Sequence, residues 1–408
     1  MTPSRQFLVT PDAAGDQELT TRRVGEPLPA HAEVVVIGGG VMGVSAAFHL
    51  AEAGAGDVLL LDRGALGSGS TCKSAGGVRA QFSHDLNIAL AARSLEAFER
   101  FGTRPGQEID LRQVGYLWLL DNPGDVATFE RSVARQNAVG VPSRLIEVAE
   151  AKQLSPLIET DGLLAAAYSP TDGYCTPESV VLGYATAARS HGATIAPYQE
   201  VTGFTIENET IRAVQVGDQT IATGAVICTA GAWSAQIGAM AGVDLPVTPL
   251  RRQLVFTEPV PHLPPQMPMT IDYSTSLYFH REGPGLLVGM SDPDEEPGFR
   301  LDRSESWLPR LAAACTRRAP QIADIGLTGG WAGLYEMTPD HNALIGECGD
   351  VSRFLYAAGF SGHGFLMGPA VGEVVRDLYL GSTPFVDVSA FDATRFARAQ
   401  WHPEANLV

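Results

Sequence analysis

EVVVIGGGVMGVSAAFHLAEAGAGDVLLLD, residues 33–62, is the stretch from which the fold can be read. Val34 to Ile37 is a β-branched, continuously apolar run, as required of a strand covered on both faces of a parallel sheet. A glycine turn follows, then Val44 to Ala53 with apolar residues at helical spacing, a stop at Gly54, and a second apolar strand from Val58 to Leu61. This order predicts a βαβ unit. Gly38, Gly40 and Gly43 fill the three positions of G-x-G-x-x-G, with Val41 and Met42 between the last two. Glycine at these places permits the tight turn, lets the backbone approach a pyrophosphate at the positive helix end, and allows the helix to pack closely on the strand. Asp62, followed by Arg63, closes the second strand where a carboxylate can accept hydrogen bonds from ribose hydroxyls. A bound dinucleotide is expected; the glycines alone leave NAD and FAD both open.

Outside this unit, 408 residues at 45% hydrophobic composition suffice for a large core divided among two or three structural units. A formal charge of -18 repels phosphate backbones and anionic lipid surfaces, so nucleic acid is not an expected partner. The five cysteines show no CxxC or CxxH spacing, which predicts free thiols in a reducing compartment and no metal site. Neither a leader-like apolar region nor a membrane-length apolar run is present, so a cytoplasmic protein is expected.

Residues 1–32 read as a polar arm draped over the surface. Helices are predicted at Leu86 to Phe101 and Asp125 to Val139, with a strand pair around Trp118, and short strands run from Thr202 to Ile227. Pro246 to Met290 carries short strands with proline-rich turns, which suggests an antiparallel sheet outside the nucleotide layer. A last strand, Phe354 to Ala358, leads into a helix from Gly364 to Leu380. The fold class is therefore α/β, α+β overall. A discontinuous Rossmann-type domain is assigned to 33–95, 160–245 and 325–385, an antiparallel substrate domain to 96–159 and 246–324, and a tail to 386–408.

Two further small-residue loops suit close backbone approach to a flat ligand. The first runs from Gly67 through Ser70, Thr71, Lys73, Ser74, Ala75, Gly76 and Gly77 to Arg79; the second is Gly359-Phe360-Ser361-Gly362-His363-Gly364-Phe365 before the last helix. With CTAGAWS at Cys228 to Ser234 and GGWAGLYEMTPDHNALIG at Gly329 to Gly346, these ordered motifs resemble the D-amino-acid-oxidase superfamily of flavoproteins. The resemblance spans about Glu33 to Leu380 and is nearest the branch of the sarcosine oxidase β-subunit, glycine oxidase and proline dehydrogenase.

The resemblance implies that Gly38, Gly40 and Gly43 hold the pyrophosphate of FAD and Asp62 its adenosine ribose. Val201 touches adenine through its backbone, and Ala230, Gly231 and Trp233 close the nucleotide pocket. Ser70, Thr71 and Lys73 line the flavin side, while Gly333, Leu334, Tyr335 and Gly362 to Leu366 border the isoalloxazine. Where relatives tether the flavin through cysteine or histidine this chain has Gly333 and Lys73, so non-covalent FAD is expected. A second flavin is not expected, because Pro177 stands near the place of its histidine.

Arg79 matches an arginine that pairs with the substrate carboxylate in monomeric sarcosine oxidases, while the lysine that assists it there is Leu366 here. Tyr278, Arg281 and Arg252 are candidates to share that work, since a guanidinium grips a carboxylate bidentately. Alternation along SLYFHREG puts Tyr278 and His280 on one face, and His280 and His363 are candidate catalytic groups. The expected substrate is a small carboxylate-bearing amine, such as an N-methyl amino acid, a proline-like imino acid or glycine, and the expected acceptor is oxygen or a quinone or dye. The oxygen-activating lysine of relatives falls at Leu287, which favours a dehydrogenase profile. The alternatives are an NAD-dependent dehydrogenase and a partner-dependent or assembly flavoprotein, in a homo-oligomer or with a heteromeric partner subunit.

Overall fold

The computed structural model describes residues 27–398, 401 and 403–407, so most of the expected N-terminal arm lies outside the described residues. Two large sheets organise the chain. The first has the order Leu344–Glu347, Phe354–Ala358, Gln219–Cys228, His31–Ile37, Val58–Leu61 and Thr194–Ala196, with the hairpin Val201–Glu207 and Thr210–Val216 added to Gln219–Cys228. Its central strands are parallel, Val34 lying opposite Val58 on one side and Ala225 on the other. The run 34–37 is buried throughout because helices cover one face and the hairpin with its neighbours the other. The strand starts at His31, slightly ahead of the expected Glu33.

The helices Val41–Glu52 and Gly364–Leu380 cross closely on that sheet. A Cβ on Gly368 would meet Val41 at 2.5 Å and one on Gly372 would meet the Ser45 hydroxyl at 2.2 Å, so glycine sets the approach. The N-termini of both helices are thereby brought to one side of the sheet. Gly381, at φ +68°, ends the second helix in the left-handed conformation that favours glycine.

The second sheet runs Leu327–Met337, Thr248–Thr257, Gly285–Met290, Leu277–Glu282, Met269–Asp272, Tyr116–Leu120, Ala165–Ser169 and Arg144–Ile146. Its pairs are antiparallel except Met269–Asp272 with Tyr116–Leu120. Ala165–Ser169 and Leu327–Met337 belong here, whereas the expected boundaries at 160 and 325 assigned them to the nucleotide layer. Both strands begin within a few residues of those boundaries, and their side-chain patterns do not tell one sheet from the other.

Arg318, 1% exposed, ties a helix to this sheet: Nε donates to Asp272 at 2.9 Å and Nη1 to the Glu159 carbonyl at 2.9 Å, with Asp121 at 3.4 Å from Nη2. Removing one partner of such a buried pair leaves an uncompensated charge. Arg318→Met is expected to lower the unfolding free energy by about 3–5 kcal/mol, read from denaturant melts.

Candidate active site

Both helix N-termini open on one cleft of about 430 Å³. At its nucleotide end Gly38 has φ +111°, and a Cβ there would meet the Thr229 carbonyl at 2.4 Å. The Thr229 hydroxyl donates to the Ile37 carbonyl at 2.9 Å, fixing the two strand ends that flank the turn. Gly40, Val41 and Met42 line the cleft, and the Val41 N–H donates to the Thr71 hydroxyl at 3.1 Å. Asp62 accepts from the Gly39 and Gly64 amides at 2.5 and 2.6 Å; burial pushes its carboxyl above the usual range and these amides oppose the shift. The Arg63 guanidinium lies 4.2 Å over Trp233, whose other neighbour is Phe299, stacked at 5.5 Å. Val201, Ala230 and Gly231 line the same end. Gly38 packs against the Thr229 backbone with no room for a side chain, and the open cleft beside this turn lies at the positive end of a helix, so the residues fit a dinucleotide phosphate.

Along the middle of the cleft, the loop from Ser70 to Gly77 is fastened to the strand Leu327–Met337. The Ser70 hydroxyl donates to the Leu334 carbonyl at 2.5 Å and the Trp331 indole N–H to the Lys73 carbonyl at 2.8 Å. Gly333 faces Lys73, since a Cβ there would come within 3.0 Å of the lysine Cβ. The two tether positions of relatives are thus neighbours, and both line the cleft. Ser74, Ala75, Gly77, Leu334 and Tyr335 line it too, as do Gly362, Gly364, Phe365 and Leu366 from the last loop and helix.

Three expected glycines stand behind the wall instead of in it. A Cβ on Gly43 would meet the Gly38 carbonyl at 1.7 Å, and one on Gly76 the Cys175 carbonyl at 2.2 Å. The Gly359 N–H donates to Glu336 at 2.8 Å. They shape the loops. Glu336 itself lines the cleft, and burial pushes its carboxyl up to about 7 against the amides of Gly359 and Phe360.

The far end is lined by Arg79, Tyr116, Arg252, Met269, Ile271, Tyr278, Tyr335, His363 and Leu407. Arg79 is 5% exposed and lies 3.9 Å over the Phe82 ring. Its Nη1 donates to the Gln81 carbonyl and its Nη2 to the Asn406 carbonyl at 2.7 Å; among the described residues no carboxylate is within ion-pair distance. Arg252 donates from Nη1 to the Arg251 carbonyl at 3.1 Å and keeps a buried Nε–H that has no partner among the described residues. His363 is 3% exposed with neither ring nitrogen partnered, and burial together with the Arg79 charge lowers it to about 3, so the ring is neutral. Burial holds the Tyr278 phenol above its usual range.

His280 does not join this group. It lines a separate, smaller cleft of about 150 Å³ with Tyr174, Glu282, Leu287 and Trp331, and its Nδ1 pairs with the Arg281 carbonyl. Period-2 alternation put Tyr278 and His280 on one face correctly, but the Ser74–Ala75 segment crosses that face and borders both clefts. Arg281 is likewise outside the main cleft, with Nε donating to the Gly283 carbonyl. Sequence reading missed Tyr116, which appears as one more apolar strand residue, and Glu336, which sits unremarked inside a quoted motif. Beneath the Arg79 loop lies Asp172, fully buried; burial pushes it up to about 7, opposed by Ser169, the Ala80 amide and the Arg79 charge.

Residues 33–378 match the model of the family described as DAO, FAD dependent oxidoreductase. The chain is 30% identical to the mitochondrial dimethylglycine dehydrogenase of Rattus norvegicus over 90% of its own length and 45% of that protein. Among solved structures it superposes on L-proline dehydrogenase from P. horikoshii with TM-score 0.86 and 36% identity, covering 92% of this chain and all of that one. Glycine oxidase from Geobacillus kaustophilus gives TM-score 0.79 and 26% identity, covering 90% and 99%. The chain spans about half the length of the first curated relatives it matches.

Two predictions follow from the geometry. Acid precipitation is expected to release FAD into the supernatant, because neither Gly333 nor Lys73 can form the known tethers; a yellow pellet contradicts this. Asp172, raised from an unfolded value near 4, contributes stability that is full below about pH 4 and lost as pH rises through about 7. Asp172→Asn removes that slope, so the wild type loses up to about 1.4 kcal/mol per pH unit relative to the variant across that window in paired melts.

Proposed function

This chain belongs to the family of FAD-dependent oxidoreductases, and we propose that it oxidises the C–N bond of a small amino acid or N-alkyl amino acid to an imine, holding FAD without a covalent link. The observation that carries the reading is the far end of the cleft, where buried Arg79, half-buried Arg252 and a histidine with no ring partner among the described residues surround space continuous with the dinucleotide cradle. Buried cations without carboxylate partners are costly unless a ligand supplies the counter-charge. A substrate carboxylate does so, accepting from the free Nε–H of Arg252 and from Arg79.

FAD bound in the cleft would supply the hydride-accepting chemistry. Gly38, Gly40, Asp62 and the helix end at Val41 would hold its dinucleotide, and Lys73, Gly333 to Tyr335 and Gly362 to Leu366 would border its ring. His363, which burial and the Arg79 charge keep neutral near pH 7, offers its ring nitrogens to the amine as hydrogen-bond partners. Tyr116, Tyr278 and Tyr335 exclude water, which strengthens the charge pairing at the arginines. Solvent then hydrolyses the released imine.

Leu287, at the place of the relatives' oxygen-activating lysine, lines the smaller cleft, and the chain has just two lysines, Lys73 and Lys152. We therefore favour a quinone or dye over oxygen as acceptor.

Anaerobic mixing with a panel of amines tests the reading: amino acids bleach the flavin and amines without a carboxylate do not. Failure of every amino acid to bleach it defeats the proposal. Arg252→Met and Arg79→Met are each expected to weaken carboxylate ligands by about 1.5–3 kcal/mol with FAD content unchanged. In stopped flow, the reduced enzyme is expected to reoxidise more slowly in air-saturated buffer than with a dye.

A further inference from the structure

The C-terminal segment comes back to the substrate end of the cleft. Glu404, 2% exposed, accepts from the Ser83 N–H at 2.8 Å, the Ser83 hydroxyl at 2.6 Å, the His84 N–H at 3.1 Å and Asn87 Nδ2 at 2.9 Å. These donors sit at the start of the helix Asp85–Glu99, where the helix dipole adds to the attraction for an anion. The next residues are fastened as firmly: the Ala405 N–H donates to Ser83, the Ala405 carbonyl accepts from the Tyr273 hydroxyl at 2.8 Å, and Asn406 Nδ2 donates to the Gln81 carbonyl at 3.3 Å. The segment is a strap bonded to the loop that carries Arg79. At its end, the Asn406 carbonyl takes the Arg79 Nη2–H and Leu407 forms part of the cleft wall.

We propose that residues 404–407 are the specificity wall of the substrate end, with the Asn406 carbonyl positioning Arg79 for a ligand carboxylate and Leu407 limiting the bulk that fits beside it. Among the described residues Arg79 makes two hydrogen bonds, and both go to main-chain carbonyls, one of them in the strap. A carbonyl orients a guanidinium without neutralising it, so the charge remains for the ligand. The strap's own carboxylate, Glu404, acts on Arg79 through its field but is turned to Ser83, His84 and Asn87, so the contact on the guanidinium is a carbonyl. Leu407 shares this end with Met269 and Ile271, so the wall beside the arginine is apolar, as suits the hydrocarbon part of an amino acid. The proposal rests on the reading that this end takes a carboxylate-bearing ligand.

The test uses FAD-loaded wild type, Leu407→Ala, Leu407→Trp and Glu404→Gln. Flavin difference spectra are titrated with straight-chain monocarboxylates from acetate to hexanoate. One methylene in a fitted apolar pocket changes affinity by about tenfold or more. Leu407→Ala is expected to shift the preferred chain length upward and Leu407→Trp downward, each changing the hexanoate-to-acetate affinity ratio about tenfold. Glu404→Gln, which loosens the strap, is expected to raise the dissociation constants of all the acids and the KM of any amine substrate about tenfold, with kcat within about twofold. Ratios unchanged in both Leu407 variants overturn the wall, and unchanged dissociation constants in Glu404→Gln overturn the positioning of Arg79. The two proposals separate cleanly. Wild type that binds the acids but is bleached by no amino acid defeats the C–N oxidation reading and leaves the strap standing, whereas bleaching with unchanged ratios does the reverse. Wild type that binds none of the acids overturns both.

Discussion

The Gly38 carbonyl lies where a Cβ on Gly43 would come within 1.7 Å of it, so the helix Val41–Glu52 begins almost in contact with the strand that precedes it. That closeness fixes where the helix points. The last helix then crosses it through Gly368 and Gly372, and its own N-terminus arrives at the same cleft from the other end of the sequence. A dinucleotide site and a ring-binding loop are thus set by backbone contacts that tolerate no side chain, while ordinary apolar packing holds the surroundings.

The Gly38–Gly43 contact is local in sequence, which is why the first strand, turn and helix of the nucleotide layer could be read in advance, whereas the contacts of Gly368 with Val41 and of Gly372 with Ser45 join opposite ends of the chain. Strand, glycine turn, helix and acid follow one another between Glu33 and Asp62, and each leaves its own periodicity. The same holds for the strand Phe354–Ala358 with its helix. What could not be read depends on chain segments far apart. His280 and Tyr278 share a strand face, yet the Ser74–Ala75 segment, about two hundred positions earlier, divides that face into two clefts. Arg79 was legible as a candidate, but its partner Asn406 belongs to a tail that composition marks as plain surface chain. Ala165–Ser169 and Leu327–Met337 are apolar enough for either sheet, so alternation could not assign them.

Electrostatics gives the cleft two ends of different character. The protein carries a formal charge of -18, yet the substrate end holds two arginines with no carboxylate in contact among the described residues. Burial lowers the proton affinity of both guanidiniums, and an arginine nevertheless stays protonated at any working pH. Positive charge in a low-dielectric wall therefore persists and attracts an anion more strongly than the same charge on the acidic surface.

Two acids, buried Asp172 and half-buried Glu336, are held protonated up to near-neutral pH. Asp172 lies behind the Arg79 loop and Glu336 in the cleft wall, and burial pushes each up to about 7. Below that pH both are neutral, and the carboxylate that still acts on Arg79 is Glu404, two residues before the Asn406 carbonyl that Arg79 hydrogen-bonds. Above it they acquire negative charge where solvent cannot screen it well, Asp172 close enough to Arg79 to act on its charge. The strap at 404–407 completes the arrangement by giving Arg79 a carbonyl where a charged partner would have cancelled it.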